Sequence, residues 1–189
     1  MYLIYSIFQL LVSLSLFVFV SMLLRYMVHT NSKDHIGYLP TNLNTVGPIL
    51  VDVIKKYIKD DIKSYNLVEP GAGMGNVAHL LAQKFTFKKV IAVEDEQGLL
   101  MVARFRQRFF RQTKIDFIKS NVLDYQILEK SVVYCYLLSE IITKMYEKGL
   151  FKDKLAITLT FPIKGVEPTE TIDVGGFAKK VLVYDFRKN

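Results

Sequence analysis

The chain opens with a long run of apolar positions. Residues 2–24 contain no charged side chain and are rich in Leu, Val, Phe and Ile. As a helix, such a run extends about 33 Å, enough to cross a hydrocarbon core of about 30 Å. The scattered serines are tolerated because their hydroxyls can bond to the helix's own carbonyls. The pattern therefore predicts one transmembrane anchor over residues 1–24.

Two other interpretations of this run stay open, a cleaved signal peptide and a buried core helix. A signal peptide usually has a basic start, a shorter apolar region and a small-x-small cleavage site, whereas this run has none of them. Arg25 and Lys33 follow the run and no base precedes it. The positive-inside rule then predicts a single-pass membrane protein with its catalytic domain on the cytoplasmic side, or on an equivalent side such as the mitochondrial matrix.

Beyond a connecting segment, residues 25–45, helical and strand periods alternate. Val46 to Ile58 repeat apolar residues at the helical period, and Pro48 falls in the first turn, where proline is accepted. Further helices are predicted over residues 76–84, 97–112 and 139–148, the last capped by Ser139. Strands are predicted over residues 65–69, 89–94, 114–118, 131–137 and 154–161. Strands separated by helices indicate an α/β domain with a parallel sheet covered on both faces.

The C-terminal residues break this alternation. Residues 170–186 form two strand-like runs around Gly175 and Gly176, a pair typical of hairpin turns. The connection that follows Phe161 is too short for a crossover helix. We therefore predict one domain over residues 46–189, in which a parallel sheet ends in an antiparallel hairpin.

Charge and cysteine content narrow the classes of partner. The formal net charge is +7, and all of it lies outside the apolar run. A basic face beside an anchor suits anionic lipid headgroups first and nucleic acid second. Cys135 is the only cysteine, which excludes an intrachain disulfide and a cysteine metal cluster. The three histidines have no ligand spacing, so no metal site is expected.

Candidate chemistry is concentrated in the segment LVEPGAGMGNV, residues 67–77. Gly71, Gly73 and Gly75 lie between a predicted strand and a predicted helix, where glycine permits positive φ and close approach of a ligand. A strand that turns sharply into a helix presents backbone N–H groups and the positive helix end. Glu69 precedes the first glycine by two residues. The G-x-G-x-G spacing differs from the G-x-G-x-x-G of nicotinamide and flavin sites.

A second acid, Glu94, closes the next predicted strand. A carboxylate at that place can accept the hydroxyl protons of a ribose, as in other doubly wound nucleotide sites. The ligand is therefore expected to carry an unmodified ribose, because a 2′-phosphate would be repelled.

With these features the chain resembles the class I S-adenosylmethionine-dependent methyltransferases over about residues 40–187. VEPGAGMG resembles their first motif, Glu94 the acid after their second strand, and the terminal hairpin their sixth and seventh strands. The resemblance implies S-adenosyl-L-methionine as cofactor and a Rossmann-like fold. It places Asn121 beside the adenine, where the family often has Asp. The cofactor-binding residues it implies are Glu69, Gly71, Ala72, Gly73, Gly75, Glu94 and Asn121.

A narrower resemblance adds an acceptor. The apolar run followed by GYLPTN, residues 37–42, is similar to membrane-anchored protein lysine methyltransferases that modify the mitochondrial ADP/ATP translocase and the ATP synthase c subunit. Tyr38, Pro40 and Thr41 match the aromatic-x-Pro-Thr stretch of that family. It implies a lysine of a membrane protein as acceptor. The Asp/Asn-Pro-Pro-Tyr motif of base and glutamine methylation is absent, since the strand end is VVYCYLLSE, which makes a nucleic-acid partner unlikely.

A lysine must lose its proton before it attacks, and desolvation in an aromatic pocket encourages that loss. Tyr38, Tyr134 and Tyr136 are the candidate pocket walls, since a tyrosine face also attracts an ammonium group. The alternative for each is a core aromatic on a central strand. Glu140 is a candidate proton acceptor, or merely an acid that interacts with a helix dipole.

The segment ARFRQRFFRQ, residues 103–112, carries four arginines and three phenylalanines. The helical period predicts one face with Phe105 and Phe109, which packs on the core, and a basic face that is solvated. Contact of the basic face with anionic lipid or with RNA stays open. So do two alternatives for the whole chain: a non-catalytic, membrane-bound module that keeps the cofactor fold, and a methyltransferase for RNA or a small molecule.

Overall fold

The structure is a computed structural model of the whole chain and describes residues 2–30, 40–109, 114–176 and 180–188. Contacts divide the described residues into two units, the first helix and the residues from Pro40 onward.

The first unit is helix α1, Tyr2–Thr30, which continues past the end predicted at residue 24. Its window Tyr5–Met22 has a mean hydropathy of 1.9, and no residue of that window is buried. The helix is long and apolar enough to cross a membrane, a property that a signal sequence shares.

The second unit alternates helices and strands. Its helices are α2 Leu43–Ile58, α3 Asn76–Lys84, α4 Gln97–Phe109 and α5 Ser139–Glu147, with short 3₁₀ segments at Lys59–Ser64 and Phe186–Lys188. Its strands are β1 Asn66–Pro70, β2 Lys89–Glu94, β3 Asp116–Lys119, β4 Ser131–Cys135, β5 Leu155–Leu159, β6 Glu170–Asp173 and β7 Lys180–Asp185.

The seven strands form one sheet in the order β3-β2-β1-β4-β5-β7-β6. Strands β1 to β5 pair in parallel, whereas β7 runs antiparallel to both β5 and β6. The predicted parallel sheet with an antiparallel C-terminal hairpin is therefore confirmed. No helix lies among residues 160–169 between β5 and β6, as the short connection predicts.

Neighbouring residues of a strand point to opposite faces of the sheet, and each face is covered by its own core cluster. Leu67 and Val132 are paired across β1 and β4 and belong to the core cluster that includes α2 and α3. Val68 and Val133, the next pair, belong to the cluster that includes α5. All residues of β1, β4 and β5 are buried, and most of them are apolar, as expected for strands covered on both faces.

Several element boundaries differ from the sequence prediction by one to three residues. Helix α2 begins at Leu43 because the Asn42 side chain caps it, with the Asn44 N–H donating to Asn42 Oδ1 at 3.1 Å. Ser139 does not cap α5: Leu138 holds the cap position, and Ser139 Oγ donates instead to the Pro162 carbonyl at 2.8 Å. Strand β4 ends at Cys135, so Tyr136 follows the strand.

Candidate functional site

The parallel strands bring their carboxyl ends to one edge of the sheet. Strand β1 lies between β2 and β4, so the chain order reverses on the two sides of β1. In open α/β sheets, ligands bind outside the carboxyl ends of the strands at such a reversal. The glycine loop after β1, the acid that ends β2 and the residues that follow β4 all lie at this edge.

The glycine loop has a backbone that requires glycine. Gly71, Gly73 and Gly75 have φ values of 69°, 55° and 70°, in the left-handed region. The Gly71 and Ala72 N–H groups both donate to the Val93 carbonyl of β2, at 2.8 and 3.0 Å. The loop is thus fastened to the neighbouring strand before it enters α3.

Two of these glycines also leave no room for a side chain. A Cβ at Gly71 would lie 2.4 Å from Leu137 Cδ2, and one at Gly75 would lie 2.7 Å from Phe117 Cε1. Leu137, beyond the end of β4, therefore lies directly against the glycine loop. The loop is packed between the residues that follow β4 and strand β3.

Glu94 holds the loop from the end of β2. Its Oε2 accepts the Gly73 N–H at 2.7 Å, and its Oε1 accepts the Asp95 and Glu96 N–H groups at 3.0 Å each. Burial raises the pKa of Glu94, although the bonds from the Glu96 and Gly73 N–H groups oppose the rise. A carboxylate has about four acceptor positions. Three of them accept backbone N–H groups, so Glu94 fastens the glycine loop and the segment after β2 to the end of that strand.

Glu69 lies wholly inside the protein at the end of β1. Its Oε2 accepts the N–H of Ala78, the third residue of α3, at 2.8 Å. Burial raises the pKa of Glu69 to about 8, against the effect of that hydrogen bond and with a smaller contribution from Glu94. Glu69 therefore joins β1 to the start of α3 behind the glycine loop.

Asn121 lies in the turn after β3 and is exposed. Its Oδ1 accepts the Leu123 N–H at 2.9 Å, which closes the turn locally. The Ser120 N–H donates to the Glu94 carbonyl at 3.2 Å, so this turn is joined to the end of β2. Asn121 is thus carried to the same edge as Glu94.

The three candidate tyrosines have different surroundings. Tyr38 lies outside the described residues. Tyr134 is a core residue at 1% exposure, and its hydroxyl lies 2.9 Å from Thr41 Oγ1. Burial raises the pKa of Tyr134 well above its usual value. Tyr136 is half-buried and stacks on Phe161, with ring centroids 6.1 Å apart and an interplanar angle of 27°. Tyr136 is therefore the better placed pocket wall.

Glu140 has the environment of a surface ion pair. The Lys164 ammonium donates to its Oε1 at 2.7 Å, and both side chains are exposed. The hydrogen bond from Lys164 lowers the pKa of Glu140 below its usual value. A solvated carboxylate of lowered pKa is a weak proton acceptor, which disfavours the role of base.

The edge also contains residues that sequence reasoning did not select. Thr160, directly after β5, has φ of 66°, a left-handed conformation that a β-branched residue rarely adopts. Phe161 follows it and stacks on Tyr136. No sequence signal marks Thr160, because threonine normally indicates extended backbone. Such strain is concentrated near functional sites. Within the described ranges, no group of three or more His, Cys, Asp or Glu is arranged to hold a metal ion.

Comparison with known proteins gives a fold. No protein-family profile matches the sequence, and no curated protein matches it significantly. An RNA methyltransferase from Salinibacter ruber, solved with S-adenosyl-L-homocysteine, is similar with a TM-score of 0.65 at 20% identity, over 80% of this chain and 95% of that one. Magnesium protoporphyrin IX methyltransferase from Synechocystis PCC 6803, solved with bound cofactor, is similar with a TM-score of 0.56 at 12% identity. The match covers 82% of this chain and 91% of that one.

A third solved structure, described as a putative class I S-adenosylmethionine-dependent methyltransferase from Listeria monocytogenes, gives a TM-score of 0.60 at 13% identity, over 86% of this chain and 65% of that one. Identities this low establish the fold alone. The second unit therefore has the Rossmann-like class I methyltransferase fold.

Proposed function

We propose that this chain is a membrane-anchored, S-adenosylmethionine-dependent methyltransferase whose acceptor is a lysine of a membrane protein. The observation that carries the proposal is the fastening of the left-handed Gly71–Gly75 loop to Glu94 at the strand reversal of this fold. The similar structures that hold S-adenosylmethionine or its product support the cofactor.

The residues present fit that cofactor. The glycine loop leads into the start of α3, where the helix dipole favours a negatively charged group such as a carboxylate. Glu94 ends β2 beside the glycine loop, the place where a carboxylate accepts ribose hydroxyls in doubly wound nucleotide sites. We propose Asn121 for the adenine side, a role that its place in the turn joined to Glu94 supports. We assign Glu69 to holding the loop and α3 in place, since its carboxylate is wholly buried.

When bound, the cofactor supplies a methyl group already activated by its sulfonium. The chain then has mainly to position the acceptor and exclude water. Tyr136 and Phe161 form a stacked aromatic pair beyond the ends of β4 and β5. An aromatic wall attracts an ammonium group and, when desolvated, favours the loss of its proton. We propose that this pair forms one wall of the lysine pocket.

The Pro-Thr stretch supports the narrower acceptor. Thr41 is hydrogen-bonded to Tyr134 of the central strand β4, although 93 positions separate them. The segment that enters α2 is therefore anchored to the strand whose end borders the glycine loop. This contact gives Thr41 of the aromatic-x-Pro-Thr stretch a physical role, because it holds the start of the second unit against the sheet.

A second candidate is an RNA methyltransferase. The similar Salinibacter ruber protein is an RNA methyltransferase, and this chain has a formal net charge of +7. A basic surface of this kind also suits a polyanion. The same assay must therefore offer both acceptors.

The test is a transfer assay with the full-length protein and cofactor labelled in its methyl group. The acceptors are membrane fractions and total RNA, and a Gly73→Val variant is the cofactor-binding control. We expect label in a membrane protein, recovered as methyl-lysine after hydrolysis, and none with the variant.

Label in RNA instead would favour the second candidate. Cofactor binding with no transfer to either acceptor would indicate a non-catalytic module. Absence of cofactor binding would overturn the proposal altogether.

A further inference from the structure

Helix α4 has a group of exposed apolar side chains on its outward face. Among the described residues from Pro40 onward, five large hydrophobic side chains are exposed, and three of them lie on α4. These are Met101 at 58%, Val102 at 44% and Phe105 at 62% exposure, and the other two are Leu128 and Tyr146. Scattered exposed hydrophobics are ordinary, but a group on one helix is not.

The spacing of these residues puts them on one stripe. Phe105 is a neighbour of both Met101 and Val102 on the helix surface, because it lies four and three positions after them. Leu100 and Ala103 are fully buried and supply the side that packs on the protein. The expectation that Phe105 belongs to the core-packed face is therefore wrong. Helix α4 has one apolar side inside and a second apolar stripe outside.

Arginines border this stripe with no acid among them. The sequence of α4, QGLLMVARFRQRF, contains three arginines and no Asp or Glu. Arg104 and Arg108 are exposed on one side of the stripe. Arg104 is held there by donating to the Phe117 carbonyl at 2.8 Å. No acid of α4 therefore lies three or four positions from these arginines, where it could pair with them.

We propose that the outer face of α4 docks on the anionic surface of a lipid bilayer. Met101, Val102 and Phe105 enter the boundary between headgroups and acyl chains, while Arg104 and Arg108 contact lipid phosphates. An apolar stripe bordered by basic residues is the pattern of helices that lie in a membrane interface. The positive charge is complementary to an anionic leaflet. The apolar helix α1, long enough to span a membrane, favours the same surroundings.

RNA is the less suitable partner for this face. Arginines and one aromatic ring can bind and stack on a single strand. The exposed aliphatic side chains of Met101 and Val102 gain nothing from phosphate or base edges, whereas burial in lipid removes them from water. The aliphatic part of the stripe therefore decides in favour of lipid.

The test uses the full chain, reconstituted through α1, with an environment-sensitive fluorophore on Met101→Cys. Cys135 is buried and stays unlabelled in the folded protein. Leu128→Cys, exposed but outside the stripe, is the matched control site. Vesicles contain phosphatidylcholine alone or an equal mixture with phosphatidylglycerol.

We expect the emission at position 101 to rise several-fold and shift to the blue in anionic vesicles only. High salt should return it to its starting value. The emission at position 128 should not change. A second labelled variant adding Phe105→Ser and Arg108→Gln should lose the response, whereas one adding Leu128→Ser and Lys152→Gln should keep it.

Equal responses at positions 101 and 128 would overturn the proposal. An equal fluorescence response in both vesicle types would show that the arginines do not select anionic lipid. That result would overturn the proposal of an anionic docking surface. A response to added RNA but not to vesicles would identify a nucleic-acid surface instead. Cofactor affinity, measured on the same variants, separates these outcomes from failure of the proposed function.

Discussion

At Gly73 the backbone is left-handed, and its N–H is bonded to Glu94. A valine there would force a β-branched residue to φ of 55°, at a cost of about 1–3 kcal/mol. Its side chain would also stand on the loop that we assign to the cofactor. We expect Gly73→Val to abolish cofactor binding in calorimetry.

The matched control for this change is Gly149→Val. Gly149 has φ of 72°, and a Cβ there would meet no atom within 4 Å. The two variants carry similar strain, but Gly149 follows α5, away from the glycine loop. Thermal unfolding should show a similar loss of stability for both. Unchanged affinity in Gly73→Val would contradict the assignment of the loop.

Glu94 is expected to bind a ribose hydroxyl. Each charge-assisted hydrogen bond lost costs about 1.5–3 kcal/mol, so Glu94→Ala should weaken cofactor binding at least about tenfold. Glu94→Gln keeps one acceptor oxygen and should be milder. Because Glu94 also accepts three backbone N–H groups, unfolding without cofactor must be measured beside the affinity. An affinity indifferent to both changes would place the ribose elsewhere.

Burial of Glu69 predicts a dependence of stability on pH. The pKa of its carboxyl rises from 4.5 to about 8 on folding. A group whose folded pKa is raised contributes stability that is fully present below the unfolded pKa and is lost as pH rises through the folded value. The stability should therefore fall between pH 4.5 and about 8 by up to about 1.4 kcal/mol per pH unit.

Urea unfolding of the wild type and of Glu69→Gln across this range measures the effect. The variant lacks the titrating group, so the difference in unfolding free energy between the two proteins should change with pH between 4.5 and about 8. Glu167→Gln, an exposed acid, is the control and should change little. A constant difference would mean that Glu69 does not titrate in this range.

At the scale of elements, the segment before α2 is held to the sheet by Thr41 and Tyr134. Thr41→Val leaves a buried tyrosine hydroxyl without its partner, which costs about 1–3 kcal/mol. Tyr134→Phe leaves a half-buried threonine that can turn to water, so it should cost less. The double variant removes both partners. Its loss of unfolding free energy should therefore be smaller than the sum of the two single losses.

A double-mutant cycle in urea unfolding measures this coupling, for which we expect about 0.5–1.5 kcal/mol. Thr171→Val, on the exposed side of edge strand β6, is the control for loss of a surface hydroxyl. Strictly additive losses would show that the hydrogen bond does not hold the segment.

At the scale of the whole molecule, we expect helix α1, the proposed anchor, to select the substrate. Confinement of enzyme and acceptor to the same membrane raises their effective concentration without a new contact. Deletion of residues 1–24 should leave cofactor affinity unchanged but reduce methylation of the membrane acceptor at least about tenfold. Both forms are assayed on one membrane preparation, with free lysine-rich peptide as control acceptor. Equal rates on membranes would place recognition wholly in the soluble domain.

The sequence by itself determined the elements and the location of the glycine loop. Helical and strand periods follow from how each side chain repeats along its own segment, so α3, β2 and the C-terminal hairpin were predicted close to their observed bounds. The left-handed glycines between β1 and α3 follow from the same local chemistry, since residues with a Cβ avoid that backbone.

Only the tertiary structure decided which distant groups meet. From its place at the end of β2, Glu94 was predicted to bind a ribose. In the folded chain its carboxyl group also accepts three backbone N–H groups. The packing of the chain leaves Phe105 exposed on α4. It also brings Thr41 into hydrogen-bond contact with Tyr134 of β4, 93 positions away in the sequence. A period identifies the apolar sides of a helix, but it carries no information on which side the rest of the chain covers. That choice is made when elements far apart in sequence pack together.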